Sequence, residues 1–103
     1  MSLKQPYFNM VKSGVKTIEL RLYDKKRQQL NIGDLISFQN ENTYITKKIK
    51  DLIIAKNFKT LFDTIDIKKT GFKEKDNTIK IMEKFYDNDR QNKFGVIGIV
   101  LED

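Results

Sequence analysis

The closing run Phe94-Gly95-Val96-Ile97-Gly98-Ile99-Val100-Leu101 carries no polar side chain at any position. Successive strand residues point to opposite faces, so a strand of this composition needs both faces covered. It predicts a central strand, and Gly95 and Gly98 leave room for a neighbouring backbone to come close. At 103 residues the chain is expected to form one domain, residues 1–103, with that strand inside it.

Other periodicities fill in the order of elements. Pro6 suits the first turn of a helix, Phe8, Val11 and Lys12 follow at helical spacing, and Gly14 serves as the stop. Thr17 to Tyr23 alternates as a strand, with Ile18, Leu20 and Leu22 on one face and Thr17, Glu19, Arg21 and Tyr23 on the other. Asp24 to Gln29 reads as a surface loop, Asn31-Ile32-Gly33-Asp34 as a tight turn and Leu35 to Phe38 as the next strand. Tyr44 to Ile54 is a long strand in which Lys47, Lys48 and Lys50 interrupt both faces, which predicts a bend or bulge. Asn57 is an N-cap for a helix carrying Phe58, Leu61, Phe62 and Ile65. Ile67 to Lys75 reads as a basic loop. Asp76 or Asn77 is expected to cap a second helix with Ile79, Met82, Phe85 and Tyr86 on one face, and Asp87 to Lys93 reads as a polar loop. The result is a mixed α+β domain without internal repeats.

Composition narrows the chemistry. There is no cysteine and no histidine, which excludes disulfides, thiolate nucleophiles, zinc sites of the usual ligand types and imidazole triads. Glu83, Asp87 and Asp89 lack the spacing of a calcium loop, so no metal site and no cofactor are expected. No apolar run approaches the ~20 residues of a membrane span, and the start has no signal-peptide pattern; a cytoplasmic location is expected. A net charge of +6 suits a polyanionic partner.

The segment from Gly14 to Arg21 concentrates chemistry in a short span. Arg21 offers a planar fork of donors, Lys16 a point charge and Glu19 an acceptor. Together they form either a nucleotide-binding cleft or an ordinary salt bridge on a half-exposed strand, worth at most about 1 kcal/mol. Lysines cluster at 25–26, 47–50 and 68–75. With Tyr7, Tyr23, Phe72 or Tyr86 nearby, charge and stacking together suit single-stranded RNA. Phe58, Phe62 and Phe85 read as core.

Written as Gly14-x-Lys16-x-x-Glu19-x-Arg21, this segment resembles the signature of the ASCH family (activating signal cointegrator homology) of the PUA-like superfamily. Phe8 to Gly14, Asn31 to Phe38, Gly71-Phe72, Phe85-Tyr86 and Phe94 to Ile99 resemble that family's small bacterial members in the same order. The resemblance implies a small, curved PUA-like β-barrel with flanking helices, an opening strand for which only Met1 to Lys4 are available, and binding of, or action on, RNA. A bacterial subgroup removes the acetyl group from acetylcytidine with a lysine, a threonine and a glutamate. Here Lys16 matches the lysine, Glu19 stands in the threonine's place, and Asn77, with Glu74 nearby, stands near the glutamate's.

The expected function is binding of RNA or a modified nucleoside by Lys16, Glu19 and Arg21, with Thr17, Tyr23, Lys25, Arg27 and Tyr86 contributing. Two alternatives stand beside it. One is a small amidohydrolase or ribonuclease using Lys16 as base, with Glu19. The other is a protein-interaction module in which the charged trio is structural.

Overall fold

A computed structural model describes all 103 residues. The chain runs α1 (Tyr7–Ser13), β1 (Ile18–Leu22), β2 (Leu35–Asn40), β3 (Thr43–Ala55), α2 (Phe58–Leu61), α3 (Lys75–Phe85), α4 (Asn88–Phe94) and β4 (Val96–Glu102), with single 3-10 turns at Arg27–Gln29 and Ile67–Thr70. The four strands form one curled antiparallel sheet in the order β1-β4-β3-β2.

The doubly apolar closing run is thus an interior strand. Ile97, Ile99 and Leu101 point into one buried cluster with Phe8, Val11, Ile36, Phe38 and Ile49. Val96, on the other face, joins a second cluster with Ile18, Leu20, Leu22, Phe58, Leu61, Phe62 and Met82. At Gly98 a side chain of β1 packs closely against β4. A β-carbon there would stand 3.3 Å from Ile18 Cγ2 and 3.7 Å from the Leu61 methyls, so Ile18 would have to yield by a few tenths of an ångström to admit one.

The expected interruption of the long strand is a bulge at Lys50. Ile49 pairs with Leu101, but Asp51 pairs with Val100. One extra residue reverses the parity of the strand. Ile45 and Ile49 face the first cluster before it, and Leu52 does so after it, while Ile53 and Ala55 turn to the second.

Four local expectations need correction, the first being that the helix capped by Asn57 ends at Leu61, short of Phe62 and Ile65. Asp87 to Lys93 is not a loop: Asp87 caps α4 by accepting from the Arg90 N–H at 2.9 Å. The one buried side chain of that helix is an amide. Gln91 Oε1 accepts from Phe58 N–H at 3.1 Å and its Nε2 donates to Tyr86 O at 2.7 Å, so no apolar stripe announced the helix. Helix α3 begins two or three residues earlier than expected, behind Glu74, which contributes no side-chain cap. Phe85 is not core. At 100° per residue it falls about 60° outside Met82 on the helix surface, and it is 61% exposed.

Residues 1–4 add no full strand. Ser2 makes an isolated parallel bridge to Gln39, with Leu3 N–H donating to Gln39 O at 3.0 Å and Gln39 N–H to Met1 O at 2.8 Å. No helix is long and apolar enough to cross a membrane.

Candidate functional site

Strand β1 lies at the edge of the sheet, and what precedes it is short and tightly held. After α1, Gly14 turns the chain in the left-handed conformation, Lys16 N–H donates to Met10 O at 3.0 Å, and Thr17 N–H donates to Lys69 O at 2.8 Å. These bonds fix the Lys16 backbone between α1 and the 3-10 turn at Ile67–Thr70. Its side chain then runs beneath Gly71. A β-carbon at Gly71 would meet Met10 Sδ at 3.0 Å and Lys16 Cδ at 3.5 Å, and its φ of +89° disfavours any larger residue.

The three charged side chains meet. Lys16 Nζ lies 3.1 Å from Glu19 Oε1, and Arg21 Nη2 lies 2.7 Å from Glu19 Oε2, with side-chain exposures of 2%, 6% and 18% for Lys16, Glu19 and Arg21. They are therefore not a solvated surface bridge. An ion group this deep persists only when its remaining donors and acceptors are matched, and here nearly all are. Lys16 Nζ also donates to Ile18 O at 2.8 Å and Thr70 O at 2.7 Å, so two of its hydrogens are bonded to carbonyls while the ammonium pairs with Glu19. Glu19 Oε1 accepts in addition from Leu20 N–H at 3.3 Å, and Oε2 accepts from Arg21 Nε at 3.0 Å. Arg21 Nη2 bonds Ser2 O at 3.0 Å as well.

Burial pushes the Lys16 ammonium below the usual lysine range; Glu19, through its charge and hydrogen bond, pulls it back up, and Arg21 adds a smaller downward push. Both neighbouring carbonyls and the carboxylate favour the charged form.

Beside this triad opens a hollow of about 260 Å³, lined by Ser2, Leu3, Lys4, Tyr7, Lys16, Glu19, Leu20, Arg21, Phe72, Met82, Phe85 and Tyr86. Its aromatic walls are organised: the Tyr7 and Phe72 rings are 5.4 Å apart, and Tyr86 stacks on the buried Phe58 at 6.0 Å. The Lys16 ammonium stands 5.9 Å from the centre of the Tyr7 ring.

The hollow brings together four of the expected site residues, Lys16, Glu19, Arg21 and Tyr86. The others lie elsewhere. Thr17 lines a second, more polar hollow with Lys50, Asp66 and Lys69. Tyr23 packs against the first apolar cluster, because β1 ends at Leu22 and Tyr23 N–H is drawn to Gly95 O at 3.0 Å. Lys25 is exposed on the loop that follows, and Arg27 Nη1 pairs with Asp24 Oδ2 at 3.1 Å. Glu74 and Asn77 are exposed at the start of α3 and are not among the lining residues. Sequence reading missed Ser2, Leu3, Lys4, Leu20, Met82 and Phe85 as lining residues. Phe85 carried a usable signal, its offset from the apolar stripe of α3. Ser2 to Lys4 carried none, since a bridge to Gln39 positions them.

A family model of the ASCH domain matches residues 1–103. The chain belongs to the ASCH family. Members of this family generally bind RNA. The ASCH chain here is similar to the hypothetical protein PH0355, whose crystal structure shares 35% identity over 99% of this chain and 94% of that one, with a TM-score of 0.88. It is also similar to protein PF0455 from Pyrococcus furiosus, whose solution NMR structure shares 30% identity over 99% and 93% of the two chains, with a TM-score of 0.78. An ASCH from Zymomonas mobilis is 14% identical and shares the fold over all of this chain and 65% of that one, with a TM-score of 0.71. The expected curled, PUA-like sheet with flanking helices is the fold of this chain. A search of the curated proteins found no match.

Proposed function

We propose that this ASCH domain is a cytoplasmic RNA-binding protein that seats one unstacked base, normal or modified, in the hollow beside the Lys16–Glu19–Arg21 triad. One observation carries the reading: a cavity of about 260 Å³ bounded by Tyr7, Phe72, Phe85 and Tyr86 with a fixed guanidinium at its edge. Aromatic walls supply stacking surface that any base can use. The division of labour among the three ions differs from a set of equal ligands. Lys16 and Glu19 hold the guanidinium in place, and Arg21 meets the guest. Surface lysines add long-range attraction for the backbone.

Binding of single-stranded RNA by this route weakens with salt, with a log–log slope of about −0.7 for each phosphate neutralised. The decisive variant is Phe85→Ala. Phe85 is exposed, so the fold should survive its loss, while base stacking worth about 1–3 kcal/mol disappears. Anisotropy titrations measure this, and unchanged affinity in Phe85→Ala removes the hollow as the base site.

The lowered proton affinity of Lys16 is the one observation that favours a hydrolase. Against it, Nζ is buried, bonded to two carbonyls and paired with Glu19, which favour the charged, non-nucleophilic form. We expect acetylcytidine to release no cytidine on incubation. Release by wild type that vanishes in Lys16→Ala would replace the binding reading with the catalytic one.

A further inference from the structure

Hydrogen-bond accounting in the triad carries a statement about which guest fits, and it rests on the RNA-binding reading. A carboxylate has about four lone-pair positions, and those of Glu19 are filled by Lys16 Nζ, Leu20 N–H, Arg21 Nε and Arg21 Nη2. The Lys16 ammonium is buried, bonded to two carbonyls and paired with Glu19, and like Arg21 it can only donate. Of the five guanidinium hydrogens of Arg21, three are engaged: Nε–H on Glu19, and the Nη2 pair on Glu19 and Ser2 O. The two on Nη1 have no protein partner, and Nη1 is not sealed from solvent. The only other charged group lining the hollow is Lys4, exposed and also purely a donor. The hydroxyls of Ser2, Tyr7 and Tyr86 can donate or accept and so do not discriminate.

We infer that the hollow selects a base edge built of acceptors, and that among purines it prefers a 6-keto base to a 6-amino base. A 6-keto purine presents O6 beside N7, two acceptors in a row, whereas adenine presents an N6 amino donor beside N7. An amino group turned toward Arg21 would face N–H against N–H and leave Nη1 unpaired. That mismatch is costly where water is scarce. The same donors would also suit a phosphate oxygen, so base and backbone must be told apart by the test.

The comparison uses the intact chain and a short oligouridine RNA carrying one central inosine or one central adenosine, at fixed salt. The inosine strand should bind tighter by about tenfold. Free inosine should compete better than free adenosine, which places the contact on the base and not on phosphate. In Arg21→Gln, with folding checked by circular dichroism, Glu19 Oε2 regains open lone pairs, and the preference should vanish or reverse toward adenosine. Equal binding of the two strands, or a preference for adenosine by the wild type, overturns the inference while leaving RNA binding intact. So does an inosine preference that survives Arg21→Gln. Absence of binding to either strand removes the RNA reading and this inference with it. The wild-type comparison stands on its own should Arg21→Gln fail to fold.

Discussion

Lys16 ties β1 to the 3-10 turn at Ile67–Thr70 through a single nitrogen. Its hydrogens hold β1 at Ile18 O, the 3-10 turn at Thr70 O, and the carboxylate that orients Arg21. Lys16→Met keeps most of the buried stem and deletes only those bonds. It leaves two carbonyls and a buried carboxylate short of partners, and the expected loss is about 3–5 kcal/mol in chemical denaturation. The alkaline dependence of that loss has a definite sign. Burial lowers the Lys16 pKa in the folded chain from its ordinary value of 10.5, so between the two values the unfolded chain holds more protons. Stability contributed by this group therefore rises with pH across that window. The gap between wild type and Lys16→Met should widen as pH climbs toward 10.5, and a gap that narrows would contradict the assignment.

Helix α4 shows how an element can be held without an apolar stripe. Its anchor is Gln91, whose amide bridges the Phe58 N–H at the start of α2 and the Tyr86 carbonyl at the end of α3. One side chain thus satisfies two helix termini, each of which leaves backbone groups unpaired. Gln91→Leu conserves the bulk and removes both bonds. It should cost about 1–3 kcal/mol, whereas Asn92→Ala on the exposed face should stay within about 0.5 kcal/mol. Thermal melts of the two variants make the comparison. The lesson for reading sequence is specific: periodicity detects helices that bury hydrocarbon, and α4 buries an amide. The bulge in β3 is the opposite case. Lysines 47, 48 and 50 advertised a break in alternation, but not that Leu52 would continue the face of Ile45 and Ile49.

At the scale of the whole molecule, β4 belongs to both apolar clusters, and this is the part of the fold most legible beforehand, because its sequence alone requires cover on two sides. The triad was legible for another reason: its three members lie within six residues, and strand geometry places Glu19 and Arg21 on one face. Its depth was not legible. Lys16 is buried by Gly71 and Thr70, more than fifty residues away, and the walls of the hollow come from residues 2–4, α1, Phe72 and α3. Only tertiary contact brings those segments together.

Depth also decides how the site behaves in concentrated electrolyte. Counter-ions reach the lysines at 25–26, 48, 50 and 68–69 and blunt their pull within a few ångströms. They reach far less of the buried Lys16 ammonium and Glu19 carboxylate, so the guanidinium stays aimed when the outer field has collapsed. Molar salt should accordingly strip away affinity that any polyanion enjoys and leave the fraction that depends on which base is offered.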